Sequence, residues 1–261
     1  MAQISRFLFR RARALAALAF CLGATALFPA RPAQADEATQ FTPAQRAQIV
    51  AIVRDALRTD PTILGDAITA LRASAQQKDA ADASNALRAN RSALTGQPGD
   101  AILGNPAGDV TMVEFYDPRC PYCRKVLPDL DRLVNSDRKL RLVEKLIPIL
   151  GPNSVLDAEA IQAAALQNRY MAMQQALMTD SGAPGIDRIR ALAATAGLDV
   201  PRLLRDMKSP EVTTVLDRNV TLAGTLHLTG TPTFVIGDQE IPGAVELADL
   251  RQAVASQRGA R

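Results

Sequence analysis

The chain has 261 residues, 48% hydrophobic and 22% charged, with three Cys, one His, no Trp and a formal charge of +3. That length supports one elaborated domain or two small ones with a real core. The apolar fraction excludes an intrinsically disordered chain, and three Cys are too few for a disulfide-stapled mini-scaffold.

Residues 1–35 have the three-part form of a secretory signal peptide. Arg6, Arg10, Arg11 and Arg13 make a basic start, an apolar run over 14–28 follows, and Ala33-Gln34-Ala35 is a small-x-small site that predicts cleavage after Ala35. The run is shorter than the ~20 residues of a bilayer-spanning helix. Phe20 is too bulky a neighbour for Cys21 to be a lipidation site. Cleavage would remove five Arg and no acid, leaving 25 basic and 27 acidic residues, a net charge of −2. No basic patch interleaved with aromatics remains, so nucleic acid is not an expected partner. Only Cys120 and Cys123 survive cleavage, and export would place them where disulfides are permitted.

Residues 36–95 read as a helical region. Thr42-Pro43-x-Gln45 is a capping box with Pro at the first helical position. Ile49, Ile52, Val53, Ala56 and Leu57 then form one face at helical spacing. Asp60-Pro61 repeats the start signal ahead of a second stripe, Ile63, Leu64, Ala67, Ile68 and Leu71. From 73 to 93 the sequence is Ala-rich and polar, with Leu87 its one large apolar residue. Such helices bury too little surface to stand alone and must pack on the main domain or on copies of themselves.

Residues 96–109 read as a linker and a first strand. Thr95-Gly96-Gln97-Pro98-Gly99 breaks the helix as a hinge or linker, 101–103 is extended, and Asn105-Pro106-Ala107-Gly108 is a turn. Residues 110–261 are mixed α/β, with strands at 110–116 and 140–147 and a helix opening at Cys120. Three helices are expected within an insertion at about 153–207, separated by 182–185 and 197–199. A helix at 211–226, paired strands at 233–236 and 240–242 around Gly237-Asp238, and a last helix at 247–256 complete the chain.

The chemical signal is the stretch 113–123, a β-rich run leading into Cys120-Pro121-Tyr122-Cys123. Two Cys at i and i+3 can close a disulfide across one helical turn. The first sits where free backbone N–H groups and the helix dipole favour an anion, and the thiolate is the attacking species in exchange. Cys123, one turn inside, is placed to resolve a mixed disulfide, and Pro121 stiffens the turn without wasting a donor. A closed zinc site needs four ligands, and beyond the pair only His227 remains, so zinc is not expected. Two thiolates do suit Cu(I), which keeps a copper-binding protein as an alternative of another class.

A strand followed by CxxC, a helical insertion, Gly230-Thr231-Pro232-Thr233 ahead of another strand, and Pro148-Ile149-Leu150-Gly151 occur in order. In these features the chain resembles the thioredoxin-fold proteins of the DsbA type, especially the ScsC-like periplasmic branch with an amino-terminal helical extension. The resemblance implies an α/β thioredoxin fold with a helical insertion, in the periplasm, working as a thiol-disulfide oxidoreductase without a cofactor. It implies that Cys120 is the nucleophile, Cys123 the resolving thiol and Pro232 a cis-proline facing them. Thr231 would expose backbone groups to an extended substrate, with Tyr122 also at the substrate surface. Glu114, six residues before Cys120, takes the place of the family's buried acid. Burial should raise its pKa and make it a proton acceptor for Cys123. Either Glu144 or Lys145 could contact it; strand parity alone leaves both open.

Strongly oxidising relatives carry His where this chain has Tyr122, and Val where it has Thr231. Both departures point to disulfide isomerisation or reduction, with a dithiol oxidase as the alternative. The implied partners are exported proteins with disulfides and a membrane thiol-redox protein, either a DsbD- or ScsB-like reductant or a DsbB-like oxidant. Relatives that trimerise through the amino-terminal helices imply a homotrimer. His227 is expected to cap a helix in the left-handed conformation. Met171, Met173 and Met178 are expected in the core rather than at a metal.

Overall fold

A computed structural model describes residues 41–260. The signal segment and its cleavage site after Ala35 lie outside the described residues. The chain divides between Leu64 and Gly65 into two units.

The first unit holds helix α1, Pro43–Thr59, and the start of helix α2, Thr62–Ala89. The capping box forms as the sequence dictates: Gln45 N donates to Thr42 Oγ1 at 3.2 Å, and Thr42 N donates to Gln45 Oε1 at 2.9 Å. At the Asp60-Pro61 break, Asp60 Oδ1 accepts from Thr62 N at 3.1 Å and so starts α2. Helix α1 buries none of its residues.

In the second unit α2 runs on to a short helix α3, Arg91–Leu94, and then to a five-stranded sheet. The strands are β1 (Ala101–Gly104), β2 (Val110–Tyr116), β3 (Leu140–Leu146), β4 (Thr233–Ile236) and β5 (Gln239–Pro242), in the order β1-β3-β2-β4-β5. The β2–β3 pair is parallel and the others are antiparallel. Side chains alternate across a strand, and in β2 and β3 both faces are buried. Even-numbered residues such as Met112, Leu140 and Leu142 pack under helices α4 (Pro121–Ser136) and α10 (Leu247–Gly259). Odd-numbered Val113, Phe115 and Val143 pack with Leu222 of helix α9 (Pro210–Thr225) and with Leu87 and Leu94.

The insertion contains four helices rather than three: α5 (Pro152–Ala165), α6 (Tyr170–Thr179), α7 (Ile186–Thr195) and α8 (Val200–Asp206). The extra break falls at Asn168, whose φ of 57° is left-handed, and Arg169 N returns to Ala164 O at 2.9 Å. Asn tolerates that conformation because its short polar side chain bonds locally. His227, just past α9, is also left-handed at φ 55°. Met173 and Met178 are core residues, whereas Met171 is 40% exposed because it lies on the outer face of α6.

The 95–99 segment is fastened rather than free. Arg218 donates to Pro98 O and to Asp100 Oδ1, and Gln162 Nε2 donates to Gly99 O at 2.7 Å. Lys145 Nζ donates to Ala93 O at 2.8 Å and to Asp100 Oδ2 at 2.5 Å, and Lys145 and Asp100 are both fully buried. The donors come from β3, α5 and α9, distant in sequence, so the local Gly/Pro composition could not announce them.

Candidate active site

Immediately after β2 comes Asp117, a fully buried carboxylate that gathers four donors. Its Oδ1 accepts from Arg119 N at 2.7 Å and Ser154 Oγ at 2.8 Å. Its Oδ2 accepts from Ile149 N at 2.8 Å and Leu150 N at 3.0 Å. One side chain thus joins the loop before the cysteines to the loop after β3. Sequence reasoning missed it; the signal was an acid and a proline immediately before the motif.

Asp117 O also accepts from Cys120 N at 3.0 Å, which sets Cys120 as the N-cap of α4 with Pro121 at the first helical position. An N-cap faces the unpaired N–H groups of the first turn, where negative charge is favoured. The Cys120 thiol is 5% exposed, and its Sγ donates to the carbonyl of Thr231 at 3.2 Å. Both thiols are free. The Thr231–Pro232 peptide bond is cis and leads into β4. Tyr122 projects into solvent at 63% exposure. Cys123 is fully buried, and its thiol is pushed far up by burial and then by the nearby Glu114 carboxyl, with hydrogen bonding to Asp117 and Thr231 pulling the other way.

Glu114 lies on the even face of β2 and is held well above the usual carboxylate range by burial, by Glu144 and by the proximity of Cys120. The β2–β3 register puts Glu144 directly opposite Glu114. Lys145 belongs to the other face of the sheet, where its contacts with Ala93 and Asp100 lie. Glu144 is therefore the neighbour of Glu114. Burial pushes it up to about 7, against the opposing effect of Gln174, whose Nε2 donates to Glu144 Oε2 at 2.7 Å. Beside the pair, the hydroxyls of Tyr116 and Tyr170 meet at 2.6 Å.

Arg124 and Arg119 tie this centre to the helical insertion. Arg124 donates to Pro118 O, Asp180 O and Leu177 O, and Arg119 forms an ion pair with the buried Asp157 at 3.0 Å. Among the described residues, no group of three or more His, Cys, Asp and Glu side chains is arranged to hold a metal ion. Among the same residues, no helix is long and apolar enough to cross a membrane. The assembled site offers a nearly buried thiol at a helix start, a fully buried second thiol one turn on, and a buried acid beside them.

Comparison with known proteins adds family evidence. The family described as DSBA-like thioredoxin domain matches residues 111–255, and that described as Copper resistance protein ScsC N-terminal domain matches residues 45–78. A thioredoxin-like oxidoreductase from Silicibacter pomeroyi is 43% identical, with 66% of this chain and 99% of that one covered and a TM-score of 0.64. Proteus mirabilis ScsC in a transitional conformation is 26% identical over 85% of this chain and all of that one, with a TM-score of 0.62. A curated relative, the Na(+)/H(+) antiporter NhaA of Herminiimonas arsenicoxydans, is 29% identical over 164 residues, 62% of this chain and 26% of that protein. The chain spans about a quarter of the length of the curated relatives it matches.

Proposed function

The chain belongs to the DsbA-like thioredoxin-domain family, and from that premise we propose that it is a periplasmic thiol-disulfide oxidoreductase that isomerises or reduces disulfides of exported proteins. The observation that carries this reading is the placement of Cys120 at the N-cap of α4, its Sγ 3.2 Å from the Thr231 carbonyl and Cys123 buried one turn behind.

The Cys120 thiolate attacks one sulfur of a substrate disulfide. The substrate S–S bond breaks, its second cysteine leaves as a thiolate, and a mixed disulfide forms. In isomerisation a different substrate thiolate attacks that mixed disulfide and releases Cys120 unchanged. In reduction Cys123 loses its proton to Glu114 and attacks Cys120, the substrate leaves with the electron pair, and the Cys120–Cys123 disulfide forms. A membrane thiol-redox protein then returns two electrons to the pair. The peptide edges of Thr231 and Pro232 line the approach of an extended substrate, and exposed Tyr122 supplies an apolar contact. Tyr122 adds no positive charge between the cysteines, which favours reduction and isomerisation over oxidation.

Refolding of a substrate with scrambled disulfides tests the reading. Cys120→Ser should abolish activity and Cys123→Ser should accumulate mixed disulfides; full activity without Cys120 would end the proposal. Alkylation trapping in cells should find the pair mostly reduced, and a mostly oxidised pair would favour the oxidase.

The ScsC-type match supports a second reading, Cu(I) binding. Residues 45–78 contain no Cys, His or Met, so the matched stretch itself offers no soft ligand, and the thiolates that suit Cu(I) are those of Cys120 and Cys123. Tight, stoichiometric Cu(I) uptake without disulfide exchange would favour it.

A further inference from the structure

Glu144 is a buried acid to which the exchange steps give no task. It stands opposite Glu114 in the β2–β3 register, on the face covered by α4 and α6. Gln174 holds its Oε2, while its Oε1 is buried without a hydrogen-bond partner. A buried carboxylate oxygen without a hydrogen-bond partner is costly, and a proton on it removes most of that cost. Two adjacent buried carboxyls cannot both ionise, so such a pair holds a proton between its members. Besides burial, Glu144 feels Gln174 and Tyr170 from α6 and Tyr116 from β2, whose hydrogen-bonding groups favour its charge, and Asp131 from α4, which opposes it. Glu114 feels Glu144, Cys120 and Asp131, and apolar Ala101 stands opposite Glu144 on β1. None of them brings a positive charge. Glu144 also lines a cavity of about 510 Å³ together with half-buried Asp131 of α4.

We infer that Glu144 is a positioning residue that shares one proton with Glu114 and thereby sets when Glu114 takes the proton of Cys123. The inference rests on the reading of Cys120 and Cys123 as the exchange pair. In the step concerned, the Cys123 S–H bond breaks and the proton joins the Glu114 carboxylate. The sulfur electron pair forms the bond to Cys120, and the substrate sulfur departs with the electrons of the mixed disulfide. Repulsion between the two carboxyls raises the pH at which the pair loses its last proton. With that proton on Glu144, the Glu114 carboxylate is free to take the proton of Cys123, and the cavity beside Asp131 gives the pair a route to exchange its proton with solvent.

Carboxyl titration by carbon-13 NMR in the reduced protein tests this, alongside the pH profile of mixed-disulfide resolution with glutathione disulfide as the oxidant. Glu144→Gln keeps shape, and Glu144→Leu serves as a second variant. In both, the Glu114 midpoint should fall by about one pH unit or more. The acid limb of the resolution profile should move to lower pH with it, and the plateau should drop about threefold. A Glu114 midpoint and acid limb unchanged in both variants, with exchange intact in the wild type, would overturn the inference. Absence of exchange in the wild type would instead defeat the functional reading, while the NMR titration would still judge the pair.

Discussion

Buried acids leave a signature on stability as well as on chemistry. Glu114 and Glu144 both titrate above the ordinary carboxylate range, Glu144 at about 7 against 4.5. Between those values the folded protein holds protons that the unfolded chain has released. The associated stability is fully present below about pH 4.5 and is lost as pH rises through about 7. Urea unfolding from pH 4.5 to 7.5 checks this: the Glu114→Gln/Glu144→Gln double variant should gain on the wild type steadily as pH rises. The identity of the second acid was hidden in the sequence for a physical reason. Residues 141–146 belong to a strand buried on both faces, and such a strand lacks the alternation that marks an inside and an outside. Cys120, Cys123 and the Thr231-Pro232 pair were legible because each belongs to a contiguous local pattern.

Among the elements, the stretch between α3 and β1 shows how distant side chains override local composition. Its Gly and Pro residues announce a break in the helix, which the structure has, but its anchoring depends on Lys145, Gln162 and Arg218. The missed break in the insertion was likewise set by one Asn and by packing of α5 against α6. Strands β2 and β4 were readable because their β-branched and aromatic runs end at strong turn signals. The Asp100–Lys145 contact carries a quantitative expectation. Asp100→Ala would leave a buried ammonium unpaired and should cost about 3–5 kcal/mol near neutral pH. Burial already lowers the Lys145 pKa from its ordinary 10.5. In the variant the folded chain binds fewer protons there than the unfolded chain as pH approaches 10.5, so stability should recover as pH rises. Denaturation midpoints at pH 7 and pH 9.5 measure it; equal losses at both would contradict the assignment.

For the whole molecule, the question is what covers the amino-terminal stripes. Ile52, Val53, Leu64 and Leu71 are each at least half exposed on α1 and α2. Apolar stripes at helical spacing are what self-association requires, and we propose that they hold together the homotrimer that the resemblance implies. Light scattering should give the mass of three chains. Ile52→Glu with Leu64→Glu should reduce that to one chain and lower scrambled-substrate refolding, while reduction of a small disulfide continues. A wild-type mass of one chain would refute the trimer. Three thiol pairs around one client would suit repeated trials of disulfide pairing, through effective concentration rather than new contacts.

The tyrosines described above also make the protein its own optical instrument. The chain has no Trp and three Tyr, so its near-ultraviolet emission comes from Tyr116, Tyr122 and Tyr170. Two of these are locked hydroxyl to hydroxyl in the interior. The third stands in solvent on the residue between the two cysteines in sequence, and a disulfide nearby quenches an aromatic ring where a dithiol spares it. The oxidation state of the pair should therefore be readable in real time from native fluorescence, with no dye attached and no residue replaced.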